Sequence, residues 1–146
     1  MYRINIITDM KYFTNSELTQ SATALRLGIN NVPTEDIREN LRVLVDCLLD
    51  PLREMWGAPL IVTSGYRCAE LNRAVGGVTN SHHLKGMAAD LVSYANTACE
   101  NARLMRVLVA SGLHWTQAIW ECDRRGSTWV HVSYDQAKLR NEVIYL

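Results

Sequence analysis

The strongest constraint on the fold is one acidic residue in an apolar run: Asp90, within Met87-Ala88-Ala89-Asp90-Leu91-Val92. That run, about Met87 to Val92, reads as a strand. A carboxylate carried inward on such a strand needs a cation or several hydrogen-bond donors. The fold must therefore bring partners to Asp90. One candidate is His83, in the polar loop from Thr79 to Gly86 that runs into this strand. Gly86 sits at the bend, where a missing Cβ permits close approach or positive φ. Ala88 and Ala89 keep the strand slim beside anything bound there. A second candidate is His131, in Thr128-Trp129-Val130-His131-Val132-Ser133-Tyr134. The two-residue period puts His131 with Trp129 and Ser133 on one face. Val130 and Val132 take the other, which suits the core.

Two histidines and a carboxylate match a catalytic zinc set, with three protein ligands and an open fourth position. Zinc there lowers the pKa of water toward ~7. Spacing alone leaves a plainer alternative open: His83 a loop residue, Asp90 a helix cap, His131 a strand-surface residue. No HExxH pair is present.

Global properties bound the possibilities. The 146 residues suit one domain spanning 1–146. Lys plus Arg and Asp plus Glu are 15 each, so the formal charge is zero. That balance argues against a non-specific nucleic-acid binder and against electrostatic attachment to a membrane surface. With 48% hydrophobic and 21% charged residues, disorder is excluded. The apolar stretch Val43–Leu49 is short and broken by Asp46, far from the ~20 residues of a spanning helix. The N-terminal string MYRINIITDMKYF has neither the apolar run nor the cleavage site of a signal peptide. The expectation is a protein that is cytoplasmic as synthesised. Cys47, Cys68, Cys99 and Cys122 include no CxxC pair, which excludes a zinc ribbon and favours reduced thiols.

Helices come first along the chain and strands cluster later. Thr14-Asn15-Ser16-Glu17 is a capping box, and it predicts a helix over about Asn15–Leu27 that stops at Gly28. A second helix follows Pro33-Thr34, with an apolar stripe of Ile37, Leu41, Leu44, Leu48, Leu52 and Met55. Pro51 predicts a kink or break inside it. Leu60–Thr63 reads as a strand, Ala69–Val75 as a short helix, and Asn96 as the cap of a helix running to Ser111. Ala118–Cys122 and Trp129–Tyr134 flank a five-residue loop, a β-hairpin signal. The expected class is α+β: a small central antiparallel sheet with helices packed on one side.

Four ordered motifs carry a resemblance: SGYR (Ser64–Arg67), LNRAVGG (Leu71–Gly77), SxHxxGxAxD (Ser81–Asp90) and WVHV (Trp129–Val132). Together they resemble the zinc D-Ala-D-Ala carboxypeptidase family, peptidoglycan metallopeptidases that share their fold with the hedgehog N-terminal domain. The likeness runs over roughly Phe13–Tyr134. It implies Zn2+ held by His83, Asp90 and His131, and a peptidoglycan stem peptide as substrate. Arg67 and Ser81 would hold that substrate, and a fixed guanidinium can also stabilise a developing oxyanion. The family's acidic base often stands three residues before the last zinc histidine. Here that position is Thr128, so Glu121, across the predicted hairpin from His131, is the expected base, with Asp123 next. Trp129 stands where some members carry a second histidine.

The implied activity is zinc-dependent hydrolysis of stem peptides, as a D-Ala-D-Ala carboxypeptidase or an L-Ala-D-Glu endopeptidase. The alternative is a non-catalytic, zinc-stabilised module that binds a cell-wall peptide or a protein partner. A wall enzyme without a leader would reach its substrate by another route, such as phage-type lysis. The expected state is a monomer without nucleic-acid or membrane partners. Trp56, Trp115 and Trp120 read as core or groove walls, since no basic patch interleaves with them.

Overall fold

The computed structural model describes residues 10–146, so most of the N-terminal string MYRINIITDMKYF lies outside the described residues. The first helical stretch is two helices, α1 (Asn15–Thr19) and α2 (Ala22–Leu27). The capping box forms as expected: the Glu17 N–H donates to Thr14 Oγ1, and the Glu17 carboxylate accepts from the Thr14 N–H. The expected single helix breaks because Ser21 turns extended and caps a new helix, its Oγ accepting from the Ala24 N–H. Side-chain capping of this kind competes with helix continuation.

The second expected helix continues past Pro51, with an irregular turn just before it. Helix α3 (Glu35–Leu44) passes through one π-helical turn, Val45–Leu49, into α4 (Asp50–Trp56). Proline lacks an N–H and crowds the carbonyl four residues back. Here the Asp50 N–H reaches back five residues to the Val45 carbonyl, and the widened turn accommodates the proline without ending the helix. The stripe then finishes on Trp56, which is buried, whereas Met55 is half exposed.

Next come β1 (Leu60–Ser64), α5 (Ala69–Ala74), a 3₁₀ turn at His82–Lys85, and β2 (Ala88–Ser93). Helix α6 (Ala98–Ala110) is capped by Thr97 and not by Asn96, because Asn96 adopts a positive φ of 49° while Thr97 Oγ1 accepts from the Glu100 N–H. The expected hairpin is β3 (Gln117–Cys122) and β4 (Thr128–Ser133). A further strand, β5 (Glu142–Tyr145), closes the element order.

The sheet order is β1-β2-β4-β3-β5. The first four strands pair antiparallel, and β5 adds to β3 in parallel. The fold is thus α+β with a mostly antiparallel sheet. One sheet face carries the core, where Ala89, Leu91, Ala118, Val130 and Val132 meet leucines from α3, the π turn, α4 and α6. Among the described residues, no helix is long and apolar enough to cross a membrane.

One close approach ties the helical layer to the opposite face. The chain leaves β1 through Gly65, and the Tyr66 N–H donates to the Leu18 carbonyl at 2.7 Å. A Cβ on Gly65 would lie 2.1 Å from that carbonyl oxygen, a contact no side-chain movement can relieve. Gly28, with φ of 67°, has nothing within 4 Å of a built Cβ. Gly28→Ala should therefore cost about 1–2 kcal/mol, the penalty of left-handed backbone alone. Gly65→Ala should cost about 3 kcal/mol or more, since backbone must move. Urea denaturation of the two variants checks the order.

Candidate metal centre

Sheet register builds the centre. Asp90 on β2 is opposite His131 on β4, which is opposite Ile119 on β3. All three point away from the helical core, as alternation requires. Ala88 shares this face with Asp90, but Ala89 belongs to the core, so only one of the two small residues borders the site. On the far edge, β1 shifts register between Val62 and Ser64 and sets Ser64 opposite Asp90.

His83 arrives from outside the sheet. Ser81 caps the 3₁₀ turn, its Oγ accepting from the His83 N–H at 3.2 Å. Gly86 ends that turn with φ of 68° and abuts Ile37. His83 Nδ1 lies 2.7 Å from the Gly65 carbonyl. A carbonyl only accepts, so Nδ1 carries the proton and Nε2 is left as the atom that could bind a metal. His83 Nε2 is 3.3 Å and His131 Nδ1 3.0 Å from the same oxygen, Asp90 Oδ1. The imidazole centroids stand 5.1 Å apart, edge to face.

Asp90 is only 7% exposed. Burial alone would raise its pKa, but His131 and His83 beside it outweigh that and hold the carboxyl well below the usual range. Its other oxygen, Oδ2, accepts from Arg67 Nη2 at 3.3 Å. Arg67 also donates from Nε to Ser64 and from Nη1 to Asn72. Three of its five N–H groups are thus engaged and two remain. One ligand atom from each of His83, Asp90 and His131 lies within 4.8 Å of the other two. Two imidazole nitrogens and a carboxylate oxygen are a donor set that zinc accepts. The Gly65 carbonyl on the far side of His83 is the outer hydrogen bond that such ligands use for orientation.

The three residues line a cavity of about 820 Å³ together with Arg67, Ser81 and Glu121. Glu121 pairs with Trp129, one step along the face from the Ile119–His131 pair. Burial is the largest influence on its carboxyl and raises the pKa; the charge of Asp90 raises it further, and the two histidines offset part of this. Trp129 Nε1 is buried with no hydrogen bond of ordinary length among the described residues, and its proximity weakly favours ionised Glu121. Asp123 lies elsewhere: its carboxylate accepts from the Arg125 and Ser127 N–H groups in the hairpin turn. Thr128 accepts from Asn101 of α6. His82 lines the cavity, and burial is the main influence that pushes its imidazole pKa down. All four cysteines are free, and none lines this cavity.

The cavity also has walls that sequence reasoning missed. Gln117 and Ile119 follow from hairpin register, because the five-residue loop sets which β3 residues share the His131 face. Lys138 and Arg140 had no such signal, since the strand that follows them is four residues long.

Glu121 also supplies a stability test. A carboxyl raised in the fold binds its proton more tightly folded than unfolded. Stability is then greatest below the unfolded pKa and declines as pH rises toward the folded value. Metal-free Glu121→Gln should resist urea better than the metal-free parent at about pH 7.5, and the gap should close near about pH 4. Paired denaturation curves check this.

A search of curated proteins returned no match. A family model, Peptidase M15, matches residues 11–133. That span runs from just before α1 to the last residue of β4, and takes in both histidines and Asp90. Because it covers most of the sequence, the chain belongs to the Peptidase M15 family, whose members are zinc peptidases.

Proposed function

We propose that this chain is a zinc-dependent peptidase that hydrolyses peptidoglycan stem peptides, with His83, Asp90 and His131 as the metal ligands. The observation that carries the reading is the convergence of those three ligand atoms within 4.8 Å, in a cavity that also holds Glu121. When bound, zinc supplies Lewis acidity, polarising the scissile carbonyl and making hydroxide accessible near neutral pH.

The chain's own residues do the rest. Glu121 takes the proton of the attacking water and returns it to the leaving amine. Its raised pKa moves it toward the working pH, which suits a group that must both accept and donate. Arg67 holds Asp90 in place through Nη2 and keeps two N–H groups for the substrate carbonyl or carboxylate. Ser81 accepts from the His83 N–H, so its hydroxyl proton is left to donate to the peptide backbone. Thr128 leaves no acid three residues before His131, and Glu121 on the neighbouring strand takes that role.

Two outcomes test the reading. Protein prepared in zinc should contain one zinc per chain by metal analysis. His83→Ala should lose it, together with the rise in melting temperature that a ligand of the folded state produces. Correctly folded wild type that stays metal-free would overturn the assignment. Incubation with muropeptides, followed by mass spectrometry, should then show a cleaved stem peptide. Glu121→Gln should lower kcat by about 100-fold or more while keeping its zinc. Cleavage that survives this substitution would remove Glu121 from the base role. Zinc-loaded wild type that leaves every muropeptide intact would favour the binding-module alternative.

A further inference from the structure

Among the residues that line the cavity, permanent cations outnumber acids. Four permanent cations line it: Arg67, Lys85, Lys138 and Arg140. The lining acids are Asp90 and Glu121, and Asp90 is already shared by Arg67 and the two histidines. Lys85 and Lys138 make no ion pair among the described residues. Arg140 lies 3.4 Å from Glu142 Oε2, an oxygen that also accepts from Gln117 Nε2 at 3.0 Å.

The wall bearing Lys138 and Arg140 is built into the fold. The Trp115 N–H donates to Asn141 Oδ1, and the Asn141 N–H donates back to the Trp115 carbonyl. The Trp115 indole N–H donates to the Glu142 carbonyl at 3.0 Å. At the other end of the segment, the Asp135 N–H donates to Thr116 Oγ1, and Asp135 Oδ1 accepts from the Ala137 N–H. Lys138 and Arg140 are thus carried on a segment tied at both ends to the start of β3. The segment lies beyond residue 133, where the family match ends.

We propose that Lys138 and Arg140, with Lys85, form an anion subsite in the cavity, which selects peptides bearing a carboxylate at that position. This rests on the peptidase reading and gives it a substrate class. Lys85 and Lys138, without ion pairs among the described residues, and Arg140, whose partner Glu142 is shared with Gln117, focus the field in the cleft and favour an anionic ligand. Charge-assisted hydrogen bonds from an ammonium and a guanidinium would hold it. The carboxylate can belong to an acidic side chain of the peptide or to its C-terminus. The first places an extended peptide across the site; the second makes the chain a carboxypeptidase.

The test uses zinc-loaded protein and four probes: a stem pentapeptide, its side-chain-amidated form, its C-terminally amidated form and the doubly amidated form. Binding is measured by calorimetry, and cleavage by mass spectrometry. The parent should bind at least one carboxylate form about tenfold more tightly than the matching amide, the scale of one to two partly exposed charge pairs. Whichever amide loses affinity identifies the source of the carboxylate. In Lys138→Ala/Arg140→Ala the acid-to-amide ratio should fall toward one, and Lys138→Glu/Arg140→Glu should invert it. Circular dichroism confirms that each variant is folded, and single Lys138→Gln serves if a double variant is not.

Equal binding of all four probes by the parent overturns the subsite. Selective binding without cleavage leaves the subsite standing and overturns the peptidase reading. Cleavage without selectivity does the reverse, and no binding of any probe overturns both.

Discussion

The carboxylate of Asp90 organises the functional half of the molecule. It sits in the central part of the sheet, nearly out of solvent, and its two oxygens face His83, His131 and Arg67. A charge in that position is tolerable only with such partners, because burial without them costs several kcal/mol. Each partner depends in turn on another part of the fold. His131 is delivered by strand pairing, Arg67 is steadied by Ser64 and Asn72, and His83 is aimed by the Gly65 carbonyl. That carbonyl is set by the tight passage of Gly65 against Leu18 in α1. A contact on the helical side of the molecule thus sets the orientation of a histidine on the other.

The sheet separates the labour between its faces. One side is a packed layer of leucines, valines and alanines against α3, α4 and α6, which supplies rigidity. The other carries Asp90, His131, Glu121 and Trp129 in adjacent rows, so their separations are set by strand spacing and not by loop conformation. Glu121 illustrates the benefit. It lies ten residues from His131 in sequence, yet pairing across the hairpin brings it to the neighbouring row of the same face.

Local signals served where the deciding physics was local. The capping box at Thr14, the strand alternation around His131 and the five-residue hairpin loop all formed as read. The misreadings have specific causes. Ser21 won its N–H partner from the helix and split the first helix in two. The irregularity expected at Pro51 is a π turn just before it, whose extra residue put Trp56 and not Met55 on the buried stripe. Asn96 yielded the cap to Thr97 because its own backbone is left-handed. Strand β5 was missed because Glu142–Tyr145 is short, and the Trp115–Asn141 and Trp115–Glu142 bonds that hold it span about a fifth of the chain.

By itself, the sequence determined the class of fold and the donor types. An acid in an apolar strand, a histidine before it and a histidine in an alternating strand limit the chemistry, because buried charge must be matched and the strand period assigns faces. The tertiary structure alone decided which nitrogen of each imidazole faces Asp90, and that Asp123 serves the hairpin turn while Glu121 enters the cavity. It also decided that Lys138 and Arg140 border the same cleft. Those outcomes depend on register, on a parallel edge strand and on contacts between distant segments. None of these leaves a periodic trace in the residues that make it.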